Sequence, residues 1–267
     1  MTKNSKHWKT MMARDIDRKV ASEGRDPLEE GLEGLSWFET KKRNVKRRWA
    51  KTRETFGEEV GNSITSGVLC LYELFMLPFA AVLAYIKAPE GKELTDAMTV
   101  SAFMIAAFLA SLFTTIYHFL KHGTVHKRIF SKLDHIMVYY AILGVYTPLC
   151  FSLLNSTFGY VTFGIEAGLA LTGTFFMAFA YPENKTLSKW AVAIYILMGL
   201  FGVFLLADLH KVMTLKSFWL MVAGVLTYVV GLFFYSGKKF KFSHMVWHLL
   251  VVAATICHIL AFVYFLR

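Results

Sequence analysis

Seven long apolar runs follow one another along the chain, at about 64–86, 96–120, 133–154, 158–180, 187–207, 216–235 and 244–266. Each reaches about 20 residues, the length an α-helix needs to cross the hydrocarbon core of a bilayer. The connections are short and polar. Pro148 and several glycines fall inside the runs, which membrane helices tolerate better than soluble ones. No internal repeat is evident. The pattern predicts an all-α integral membrane protein, a seven-transmembrane helix bundle over residues 63–267. A basic, partly disordered cytoplasmic tail over residues 1–62 precedes it.

Composition sharpens this picture. Of 267 residues, 55% are hydrophobic and 16% aromatic, and the mean hydropathy is +0.45. A soluble domain seldom sustains that content, because its surface must face water. The three cysteines, Cys70, Cys150 and Cys257, lie inside apolar runs and form neither a disulfide framework nor a CxxC metal signature. Residues 1–36 are polar and charged and do not resemble a signal peptide, so insertion falls to the first apolar helix.

The net charge of +10 is unevenly placed: residues 1–62 hold 15 of the 29 Lys and Arg. Basic groups confined to a tail and to short loops favour a membrane surface and no nucleic acid as partner. With the N-terminus cytoplasmic, the inner loops carry Lys121, Lys127, Arg128, Lys132, Lys185, Lys189, Lys238, Lys239 and Lys241. The outer side carries only Lys87, Lys92, Lys211, Lys216 and Arg267. The positive-inside rule therefore predicts a cytoplasmic N-terminus and an extracytoplasmic C-terminus, in a multi-pass protein of the plasma (inner) membrane. The run KKRNVKRRWAKTR, beginning at Lys41 and ending at Arg53, has eight basic groups and no acid. It suits anionic headgroups, and it also serves simply as an orientation signal.

Ionisable residues within spans are expensive and usually face the bundle interior. The second span ends TTIYHFLKH, with Thr114, His118 and His122 on one face. The third opens KLDHIMVYY, with Asp134 and His135. The seventh opens SHMVWHLLVVAATICH, with His244, His248 and, deeper, His258. In the predicted topology His118, Asp134, His244 and His248 fall at one depth near the cytoplasmic side. His244 and His248, one turn apart, can hold one metal from a single helix face, the spacing logic of HExxH sites without their glutamate. His118 as third ligand gives a three-histidine set with an open position, the pattern of catalytic zinc. Imidazole also suits copper, iron or nickel. Asp134 can hold and deprotonate a metal-bound water, with Thr114 hydrogen-bonding nearby. Blander readings compete. The HxxxH pair can be satisfied by hydrogen bonds, His118 can be interfacial, Asp134 can pair with Lys132 or Lys127, and His122 is the rival ligand. His258 reads as a helix–helix hydrogen-bond donor, and His126, His135 and His210 carry no special signal.

GEEVGNSITSG at 57–67, TTIYH at 114–118, LDHIMVYYAILGVYTP at 133–148 and HMVWHLLVVAATICH at 244–258 resemble the hemolysin III family. That family lies within the superfamily of progestin and adiponectin receptors, with alkaline ceramidases more distant. The resemblance covers about 58–266 and implies a seven-helix bundle with zinc held by three histidines. Those carry over to His118, His244 and His248, and the third-helix aspartate to Asp134. Two positions depart from the family pattern. Thr114 stands where serine is usual, and Ser66 stands where N-x-I-T-H-G has histidine, while Glu59 and Asn62 keep the rest.

Three functions follow from this reading. One is a zinc-dependent hydrolase of an amide or ester bond in a membrane lipid, with Asp134 as general base. Another is a sensor or regulator of membrane fluidity in which zinc is structural. The third is cytolysis, which the family name suggests, although the chain has no amphipathic pore-forming element. A transporter is a further reading, set back by the expectation that paired charges are lacking at mid-membrane depth.

Overall fold

The computed structural model describes residues 54–122, 124–180, 185–235, 240 and 242–266. Seven helices are long and apolar enough to cross a membrane: α1 Phe56–Lys87, α2 Glu93–Phe119, α3 Val125–Leu154, α4 Thr157–Phe179, α5 Lys189–Val212, α6 Leu215–Tyr235 and α7 Ser243–Tyr264. No strand occurs among the described residues. The chain is an all-α integral membrane protein, as its hydropathy predicts. The tail up to Arg53, with its basic run from Lys41, lies outside the described residues.

α1 and α3 both begin about two turns earlier than hydropathy places them, for a local reason. Thr55 and Glu58 form a capping box: the Thr55 side chain accepts from the Glu58 N–H, and Glu58 Oε2 accepts from the Thr55 N–H at 2.8 Å. This reciprocal satisfaction of end donors fixes a helix start without apolar residues. Residues 56–62, grouped with the tail on charge, are therefore helical. Thr124 caps α3 with its side chain alone, accepting from the Lys127 N–H at 3.1 Å. The extra turns carry Glu58, Glu59, Asn62 and Lys127 to one end of the bundle, where α2 ends and α7 starts. We call this the proximal end.

The helices are not uniform. α3 finishes as a π-helical turn from Pro148 to Leu154, where proline removes a backbone donor. α5 is interrupted by a 3₁₀ turn, Gly202–Leu205. α7 closes back onto α1, and most consecutive helices pack on one another. Large apolar residues such as Phe75, Phe79, Phe175, Trp219, Leu226 and Val229 point outward. In water such a surface would be anomalous, whereas in lipid it is the normal exterior.

The interior is divided. A large apolar core fills the distal half, with Met104, Leu149, Cys150, Leu205, Ile259 and Phe262 fully or almost fully buried. A smaller one, built on Tyr139, Ala170, Met177, Ala191 and Met198, joins α3, α4 and α5. Tyr139 donates from its hydroxyl to the Ala191 carbonyl at 2.8 Å, and two turns on Tyr146 repeats the bridge to Met198 at 2.7 Å. The Tyr139 ring lies so close to Gly173 that a Cβ there would come within 2.3 Å of it. Neither core occupies the proximal space between α1, α2 and α7.

Two expectations follow. Gly173→Ala should lower the unfolding midpoint in detergent by an overpacking cost of about 1–3 kcal/mol, more than Tyr139→Phe, which loses one hydrogen bond of about 0.5–1.5 kcal/mol; the reverse ranking would show that the ring seat is not tight. For orientation, Glu90→Cys in the exposed α1–α2 turn should react with an impermeant maleimide on intact cells, and Lys121→Cys at the proximal end only after lysis. Reaction of Lys121→Cys alone on intact cells would reverse the orientation inferred from charge.

Candidate metal centre

The proximal space holds three histidines. His118 comes from the last turn of α2, and His244 and His248 from the first two turns of α7. Each offers a ring nitrogen within 4.8 Å of the others'. His118 and His248 are buried, at 4% and 6% exposure, and their Nε2 atoms lie 3.1 Å apart. Two ligands on one tetrahedral zinc, at about 2.0–2.1 Å from the ion, would be about 3.3 Å apart. The ring centroids of His118 and His244 are 5.4 Å apart, and those of His244 and His248 are 4.7 Å apart.

The outer nitrogens explain why the inner ones face one another. His118 Nδ1 is 2.9 Å from Glu59 Oε2. A carboxylate can only accept, so Nδ1 carries the hydrogen and Nε2 presents a lone pair. His248 Nδ1 is 3.4 Å from Ser66 Oγ. Ser66 therefore occupies a place beside the ligand-type histidine. Three imidazoles whose nitrogens converge in a buried, polar space form a donor set that fits a transition-metal ion.

Thr114 and Asp134 also come together. Thr114 Oγ1 donates to Asp134 Oδ1 at 2.5 Å, and Asp134 Oδ2 is 3.5 Å from His135 Nδ1. Thr114 stands one turn before His118, which places the pair on the same side of α2. The lysines weighed as partners of Asp134 turn elsewhere: Lys127 Nζ pairs with Glu59 Oε1 at 2.6 Å, and Lys132 Nζ donates to the Ala178 carbonyl at 2.7 Å. Neither Asp134 nor His122 belongs to the close three-donor group. His258 bridges α7 to α6 through Met221 O, at 3.3 Å, the helix–helix role expected of it.

Some polar residues escaped the sequence reading. Glu54, Glu59 and His118 form a second group of converging donor atoms. Glu54 Oε2 accepts from Asn62 Nδ2 at 2.6 Å. The T-x-x-E cap at 55–58 is the sequence signal that a helix starts here, with Glu59 in its first turns. Two single acids at mid-membrane depth belong with these. Glu73 of α1 and Glu166 of α4 are buried at 1% and 0% exposure. Glu73 contacts Ser111 of α2, while both Glu166 oxygens lack a hydrogen-bond partner among the described residues. Single acids inside long apolar runs barely change hydropathy, which is why they were passed over.

The fold and site thus define a multi-pass membrane protein with a cluster of imidazole donors at one end of its bundle. Residues 55–259 match the family described as haemolysin-III related, and the chain belongs to that family. It is 29% identical over 198 residues to "Hemolysin-3" of Bacillus cereus, covering 74% of this chain and 87% of that protein. It is 30% identical over 201 residues to "Hemolysin-3 homolog" of Bacillus subtilis (strain 168), covering 75% of this chain and 91% of that protein. The match begins at the helix cap, so the basic tail lies outside it.

Proposed function

We propose that the protein is a zinc-dependent hydrolase acting on an amide or ester bond of a membrane lipid, in the plasma membrane. One observation carries the reading: three imidazole nitrogens converge within 4.8 Å at the same end of the bundle as a bonded Thr114–Asp134 pair. His118, His244 and His248 would hold the ion, which supplies a Lewis acid for a carbonyl and lowers the pKa of water. Asp134 is the general base and accepts a proton from the attacking water at its carboxylate. Thr114 donates to Oδ1 and holds the carboxylate in place. The bundle's apolar flanks suit a substrate that enters from the bilayer, and the basic run at 41–53 suits anionic headgroups at the surface.

A second reading rests on the same nitrogens. They tie α2 to α7, and a metal there would also fasten the bundle, as a structural ion does in a non-enzymatic regulator of membrane fluidity. The name of the Bacillus relatives points to a third activity, lysis. Permeabilisation of liposomes by purified protein at low concentration would favour lysis over both other readings.

Metal analysis of protein purified without chelator should find about one zinc per chain, lost in His118→Ala and in His248→Ala. Metal-free wild type would remove the basis of the proposal. Incubation with ceramide-like and ester lipids should release fatty acid, and Asp134→Asn should lower the rate about 10²–10⁴-fold while zinc stays bound. Zinc-loaded protein with no turnover across a broad lipid panel, but a lower unfolding midpoint after chelation, would instead establish the structural role.

A further inference from the structure

Both ring nitrogens of His118 meet ionisable groups. Nε2 faces His248, while Nδ1 meets an acidic pair, 2.9 Å from Glu59 Oε2 and 3.8 Å from Glu54 Oε2. Two arrangements can account for that pair: a second cation site, or a group that orients His118. The donors already present decide between them. Lys127, only 1% exposed, places its ammonium 2.6 Å from Glu59 Oε1 and 4.7 Å from the centre of the Tyr117 ring. Glu54 accepts from Asn62. The cation of this group is therefore a lysine of the chain itself. A divalent ion would have to displace it and strand a buried positive charge, which is strongly unfavourable.

We infer that Glu59 is a positioning residue for His118. It accepts the Nδ1 hydrogen, selects the tautomer with a free Nε2, and fixes the ring's angle. Lys127 holds Glu59 as a paired carboxylate inside the bundle. The inference rests on the proposal that the histidines hold a metal. It adds a carboxylate–imidazole–metal relay running from α1 through α2, with α3 supplying the counter-charge. Such partners raise ligand basicity and typically contribute about 10–100-fold to metal affinity.

The test is competition titration of the full-length protein with Co²⁺ and Zn²⁺, reading the cobalt absorption spectrum and the unfolding midpoint of the metal-free form. Removing Glu59 alone would leave Lys127 buried and unpaired, so the variants are neutral pairs. Glu59→Leu with Lys127→Met should weaken binding about 10–100-fold and alter the cobalt spectrum. Glu59→Gln with Lys127→Met, which keeps an acceptor for Nδ1–H, should fall between that variant and wild type. Lys127→Met alone should bind no more weakly than wild type. If wild type binds no cobalt, the metal reading itself fails. If wild type binds and the Leu/Met protein matches it within about threefold, the positioning role is overturned while the site stands. A second equivalent of cobalt that disappears with Glu59 would make the acidic pair a cation site and also overturn the inference.

Discussion

A bilayer offers no water to an imidazole or a carboxylate, so a polar side chain within these helices is costly unless another group of the protein takes the place of water. The architecture follows from that constraint. Polar residues of α1, α2, α3 and α7 are gathered at the proximal end, where they satisfy one another: Glu58 with the Phe242 N–H at 3.2 Å, Glu59 with His118 and Lys127, Ser66 with His248, and Thr114 with Asp134. The distal half packs around a large apolar core, and its buried polar groups are few and local, as where Thr99 meets Ser152 at 2.6 Å. Phe242 shows how tightly the proximal end is held. It sits in the left-handed region at φ 67°, an unfavourable conformation for a bulky residue, and its N–H is held by Glu58. His244 follows two residues later, so the position of the α7 histidines is tied to the first turn of α1.

The spans were legible because hydropathy and length decide them with little help from context. The histidines were legible for a different reason. His244 and His248 share a face by spacing, and His118 joins them only once the direction of each helix is known. Thr114 and Asp134 were readable on the same grounds. What the sequence concealed was the continuation of α1 and α3 beyond the apolar runs. Hydropathy ends where charge begins, whereas the helices end at Thr55 and Thr124, which are hydrogen-bonding signals. Glu59 and Lys127 therefore looked like tail and loop. Their pairing spans 68 residues, a separation that no local pattern reports.

The serine at position 66 illustrates a related limit. In the N-x-I-T-x-G pattern it stands where the resemblance has histidine. Its hydroxyl faces His248 Nδ1, much as Glu59 faces His118 Nδ1. The two buried histidines thus receive unequal support, one from a neutral hydroxyl and one from a charge-paired carboxylate. A carboxylate contact is shorter and stronger than one to a hydroxyl, so the geometry of the cluster is anchored more firmly on α2 than on α7.

Glu73 carries a consequence for how the protein is made. The ribosome delivers α1 before α2, and a lone acidic group at the centre of an inserting helix opposes its entry by about 2.5–3.5 kcal/mol. The group that Glu73 contacts, Ser111, lies 38 residues later in the chain, on the far half of α2. That cost is offset most directly if α1 and α2 enter lipid together, as a hairpin. A hairpin brings Glu73 and Ser111 in side by side, so the carboxyl is covered as it leaves water.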